Sequence, residues 1–120
     1  LNVVCGAFLY PYTMDLEGAT GVAEMSKRFG FVNACAGRTI DDWRPGVRMF
    51  FARAGQDGFP HLNTSLDRVI AVGLAHNLPL TVVNYPEGVH AFDLMDASDR
   101  SKAIVAQVLA FLRDELSSRC

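Results

Sequence analysis

Two residues of this chain have side chains that could work together as an acid and a base. Asp57 stands in the turn Ala54-Gly55-Gln56-Asp57-Gly58, and His90 in the turn Pro86-Glu87-Gly88-Val89-His90-Ala91-Phe92. A carboxylate beside an imidazole fixes which ring nitrogen carries the proton, and it stabilises the imidazolium formed when the other nitrogen accepts one. Each residue also has an ordinary structural use. An Asp among glycines is a turn former, and a lone His is commonly a satisfied structural residue. The catalytic reading therefore depends on whether the fold brings the two turns together.

Around that pair, Tyr10, Tyr12 and Phe92 read as apolar walls. His61, which follows Pro60, reads either as a lining residue or as a solvated flank of a helix. His76 falls near a helix end, where the macrodipole favours it. Asp41-Asp42-Trp43-Arg44 reads as a charged surface turn. Asp93, Asp96 and Asp99 lack the spacing and the glycine of a calcium loop and read as capping carboxylates. Cys5, Cys35 and Cys120 are far apart and form no Cys-x-x-Cys pair, which argues against a disulfide framework or a zinc site and fits a reducing, cytoplasmic compartment. The expectation is a site with no metal and no cofactor.

The elements that must position these residues follow from the apolar pattern. Asn2–Tyr10, Val47–Ala54 and Leu80–Tyr85 are continuous apolar runs closed by Pro or Gly, as strands buried on both faces require. Between the second and third lies a helical pattern, with Asn63 or Thr64 as N-cap and Leu66, Ile70, Gly73 and Leu74 on one face, stopped by Asn77 and Pro79. The triplet Asn63-Thr64-Ser65 matches a glycosylation acceptor but reads better as this helix start. A last helix, capped by Asp96 or Ser98, carries Ile104, Val105, Val108, Leu109, Phe111, Leu112 and Leu116 as one wide apolar face. Residues 12–46 read as an irregular helical excursion, with a helix over Gly21–Phe29 and a turn over Thr39–Trp43. Strand, helix, strand, helix implies α/β: about three parallel strands, crossover helices and a C-terminal amphipathic helix in one domain, 1–120. In such sheets ligands bind beyond the carboxyl ends of the strands, where Asp57 and His90 both fall.

The succession ARAGQDGFP, a helix, LTVVNYPEGVHAFDLMD and a terminal amphipathic helix resembles the last third of the α/β-hydrolases, particularly small esterases and dienelactone-hydrolase-like enzymes. The resemblance covers about Asn2 to Leu116 and is most specific over Met49–Met95. It implies a partial α/β-hydrolase fold in which Asp57 matches the acid and His90 the base of a Ser-His-Asp triad, in the family's acid-before-His order. Tyr10-Pro11 and Asp15 resemble the turn that follows the nucleophile helix in many members. The departure is as informative, because no G-x-S-x-G is present, and Cys5 in V-V-C-G-A lacks the flanking glycines and falls in a strand. The chain also opens at Leu1 inside an apolar run, which raises the expectation of sequence upstream. The resemblance thus implies the C-terminal portion of a serine-type ester hydrolase, a triad remnant inactive alone. The alternative is a non-catalytic half-fold that binds itself or a partner.

Composition bounds the partners. Among 120 residues, half are hydrophobic and the formal net charge is −2, with no basic patch for nucleic acid and no apolar stretch of membrane-spanning length. The expected partners are a small ester, if a nucleophile-bearing segment completes the site, and a second copy of the chain through an open sheet edge.

Overall fold

A computed structural model describes residues 2–16 and 21–118. Leu1, residues 17–20 of the excursion and residues 119–120, Cys120 among them, lie outside the described residues. The elements are β1 (Cys5–Leu9), α1 (Val22–Phe29), a short 3-10 turn (Ile40–Asp42), β2 (Arg48–Ala54), α2 (Leu62–Ala75), β3 (Leu80–Tyr85), α3 (Phe92–Met95) and α4 (Asp99–Ser117). The strands form one open parallel sheet in the order β1-β2-β3, with helices packed on it, so the architecture is α/β.

Alternation along the strands sends successive side chains to opposite faces. On one face Phe50, Ala52, Ala54 and Tyr85 form a buried cluster with Phe92 and with Ile104 and Val108 of α4. Phe50 and Phe111 pack ring to ring at 5.5 Å, and Arg48 reaches Glu115 of α4 at 3.3 Å. The opposite face receives α2. There Phe51 stacks on Phe8 with centroids 5.6 Å apart, and the Arg53 guanidinium donates to both carboxylate oxygens of Asp67 at 2.6 and 2.9 Å. Only the central strand β2 is largely buried; Phe8 of β1 and Thr81, Val82 and Asn84 of β3 are exposed, so the expectation of strands buried on both faces holds for β2 alone.

Three expectations about elements change in detail. The first strand is Cys5–Leu9 rather than Asn2–Tyr10, because Tyr10 leaves the ladder at φ 40° after its N–H donates to Ala52 O at 2.7 Å. In α2 the N-cap is His61 at φ 60°, not Asn63 or Thr64. Asn63 lies inside the first turn, and its Nδ2 donates to the Ala54 carbonyl at 2.8 Å, tying the helix to the end of β2. The buried stripe of α2 is Leu62, Ser65, Leu66, Val69 and Gly73, whereas Leu74 is exposed. Gly73 explains that rotation: a Cβ there would stand 2.8 Å from Leu80 Cδ1, so its bare backbone is what lies on β3.

The start of α4 uses both candidate caps. Ser98 is the N-cap, its Oγ accepting from Ser101 N at 3.1 Å, and Asp96 accepts the Ser98 N–H at 2.8 Å and the Tyr85 hydroxyl at 2.6 Å. On the far side of α4, Leu109 and Leu116 are exposed, since three strands are too narrow to cover the full apolar face.

Candidate active site

The site is built where β2 and β3 end side by side. Ala54 pairs with Tyr85, so the two following loops leave the sheet together. Gly55 N donates to Tyr85 O and Gln56 N to Gly88 O, both at 2.8 Å, which extends the contact beyond the strands. Position 55 must be glycine, because a Cβ there would overlap the Pro86 carbonyl. The consequence is that Asp57 and His90 meet: Oδ2 of Asp57 lies 2.7 Å from Nδ1 of His90.

The Asp57 side chain is fully buried, and its Oδ1 accepts the Phe59 N–H at 2.9 Å. A carboxylate can only accept, so Nδ1 carries the proton and Nε2 of a neutral imidazole is left with its lone pair. The ring is about one-third exposed, at 34 %. Its orientation is set on two sides by aromatic rings, Tyr10 at 4.5 Å and Phe59 at 4.3 Å between centroids. Ala91, the next residue, sits at φ 59°. Non-glycine residues in this region carry strain of about 1–3 kcal/mol each. Tyr10 and Ala91, two of the four such positions among the described residues, adjoin His90 in space or in sequence.

The other candidates separate into residues that touch the pair and residues that do not. Tyr10 touches His90, and its hydroxyl donates to Asp93 Oδ1 at 2.6 Å. Burial, then the hydrogen bond to Asp93 and the negative charges of Asp93 and Asp57, push its phenol up to about 12. Tyr12 donates to the Pro60 carbonyl at 2.7 Å, and burial first, then Asp57, raises its phenol above the ordinary range. His61 begins α2, about half exposed, with Nε2 3.5 Å from Glu24. It is a helix flank rather than a neighbour of His90. Phe92 is fully buried, edge-on to both Tyr10 and Tyr85, so it is corrected from a substrate wall to a core residue that backs Tyr10.

A hollow of about 400 Å³ opens beside His90, lined also by Arg28, Phe29, Gln56, Phe59 and Val89. No Ser, Thr or Cys lines it. A larger, more apolar hollow of about 500 Å³ runs along β1 past Phe8, Trp43, Met49 and Phe51, and contains neither Asp57 nor His90. Cys5, half-buried in β1, lines neither hollow. Among the described residues no His, Cys, Asp or Glu cluster could hold a metal ion, and no helix is long and apolar enough to cross a membrane.

Sequence reasoning missed three residues here. Phe59 packs on His90, and its place two residues after Asp57 in D-G-F-P was an available signal. Asp93 was read only as a cap, and Arg28 lies on a helix whose approach to His90 no local pattern encodes. No protein-family model, curated protein or solved structure matches the chain.

Proposed function

We propose that this chain supplies the acid and the base of a nucleophile–His–acid site for ester hydrolysis. The nucleophile would come from another segment or a second chain, since no G-x-S-x-G stands among these 120 residues. The observation that carries the reading is the buried Asp57 carboxylate 2.7 Å from His90 Nδ1, with the rest of the imidazole facing a hollow. Nε2 would take the proton of the nucleophile as its oxygen attacks the ester carbonyl. The imidazolium, stabilised by Asp57, would return that proton to the departing alcohol, and water activated by the same nitrogen would release the acid. The sequence resemblance to α/β-hydrolases agrees with this chemistry. Among the described residues Cys5 and Cys35 are free thiols, which fits a reducing cytoplasmic setting.

The orienting role is tested by nitrogen chemical shifts of labelled His90. The expected result is a proton on Nδ1 in the neutral ring; a neutral ring protonated on Nε2 would remove the base. The missing nucleophile is tested with p-nitrophenyl acetate, on which the isolated chain is expected to show no turnover that His90→Ala abolishes.

A second reading, a non-catalytic half-fold that self-associates, is favoured by one observation. β1 is an outer strand, and Phe8 in it and Val3 just before it are 40 % and 44 % exposed. The two readings differ in whether a completed site hydrolyses esters.

A further inference from the structure

Asp57 pins Nδ1 of His90, yet a single hydrogen bond leaves an imidazole free to tilt about it, so the direction of Nε2 is set by what stands against the ring. Phe59 is one such neighbour and follows Asp57 on the same turn. Tyr10 is the other, and it arrives from the end of β1 with its backbone at φ 40°. Its hydroxyl is anchored at Asp93 Oδ1, 2.6 Å away and 83 positions on in sequence. Local structure does not account for that carboxylate. Among the described residues Asp93 accepts no backbone N–H and forms no ion pair, whereas Asp57 and Asp96 accept N–H groups of their own turns and Asp67 holds Arg53. Asp93 stands three residues after His90, beyond Ala91 at φ 59° and the buried Phe92. The contacts therefore close a circuit, from imidazole to phenol ring, from hydroxyl to carboxylate, and back along the chain to the imidazole. Burial, then the bond to Asp93, pushes the phenol up to about 12, so the hydroxyl keeps its proton wherever an imidazole works as a base.

We propose that Asp93 is a positioning residue for His90: through the Tyr10 hydroxyl it holds the phenol ring against the imidazole and so fixes where Nε2 points. It acts through Tyr10 and touches no reacting atom. Its consequence for ester hydrolysis rests on the reading of His90 as the base, because a base must come within hydrogen-bond reach of its nucleophile and a tilted ring loses that reach.

The test is nuclear magnetic resonance of the isotope-labelled 120-residue chain as parent, Tyr10→Phe, Asp93→Ala, Asp93→Asn and the double variant Tyr10→Phe/Asp93→Ala. Two signals of His90 are followed: the ring protons on Cδ2 and Cε1, which the Tyr10 ring displaces, and solvent exchange of the Nδ1 proton relative to the backbone amides of Phe50 and Ala52 in the core. In Asp93→Ala the carbon-bound protons are expected to move toward the values of a free imidazole, and relative exchange of the Nδ1 proton to rise at least about tenfold, as loss of a hydrogen bond to a charged group allows. Tyr10→Phe keeps the ring and lacks the donor, so it should reproduce both changes. The double variant should add nothing further, since one bond is broken in all three. Asp93→Asn retains an acceptor oxygen and should restore most of the parent behaviour. Unmoved His90 ring protons in Asp93→Ala, Nδ1 exchange that only keeps step with the core amides, or additive effects in the double variant would overturn the proposal. None of these readings involves turnover, so a completed site that fails to hydrolyse esters would leave a positive result standing. A negative result would leave the Asp57–His90 pairing untouched.

Discussion

The imidazole of His90 is held by three contacts: a hydrogen bond from Nδ1 to a buried carboxylate, and ring contacts from Tyr10 and Phe59. At this scale Tyr10 makes a direct prediction. Burial, then the hydrogen bond to Asp93, pushes its phenol up to about 12, against 10.0 for the free side chain. A raised value means that its contribution to stability is complete below the unfolded value and is lost as pH climbs through the folded one. Ultraviolet titration should therefore find one tyrosine ionising near 12, and Tyr10→Phe should remove the extra loss of stability that the parent chain suffers between those values. Gly55→Ala is a second case. Its Cβ would collide with the Pro86 backbone, so the two loops must part, with a loss of about 1–3 kcal/mol and of the Asp57–His90 hydrogen bond. Chemical denaturation and the His90 Nδ1 proton signal measure the two effects separately.

Elements set how those residues meet. The start of α4 depends on Ser98 and on Asp96, which ties the cap to Tyr85 at the end of β3. Ser98→Ala should destabilise the chain by about 1 kcal/mol, read from thermal or urea unfolding. The hydrogen bond from Tyr85, then that from the Ser98 backbone N–H, hold the Asp96 carboxyl below the usual carboxylate range. A depressed value gives stability that is present above the unfolded carboxylate value, near pH 4, and fades as pH falls through the folded one. Asp96→Asn should flatten that acid limb. The sequence located the strands and both long helices because apolar periodicity is a local property. It misplaced the start and rotation of α2, since the close approach of the Gly73 backbone to the Leu80 side chain and the positive φ of His61 decide them, and local periodicity encodes neither.

For the whole molecule, the dominant feature is a sheet of three strands with two outer edges and uncovered apolar side chains at Val3, Phe8, Leu109 and Leu116. Exposed strand edges beside apolar patches recruit other chains. Sedimentation at micromolar concentration is expected to find a dimer or larger assembly, and Phe8→Lys on the face beside the β1 edge is expected to shift it toward monomer. A clean monomer in the parent chain would remove self-association as a role. Core packing predicts the opposite kind of effect: Phe92→Ala, fully buried between Tyr10 and Tyr85, should cost about 3–5 kcal/mol by denaturant unfolding and loosen the Tyr10 ring against His90.

By itself the sequence determined the α/β pattern, the carboxyl ends of β2 and β3 and the two turns that bear Asp57 and His90, because apolar runs and glycine-rich turns are written in neighbouring residues. Only the tertiary structure decided that Phe92 is core, that His61 serves a helix end, and that Arg28 and Phe59 share a hollow with His90. Those assignments depend on which faces of distant segments meet. Burial and approach across the sheet are properties of packing, and a side chain's type records what it could do there without recording what stands opposite it.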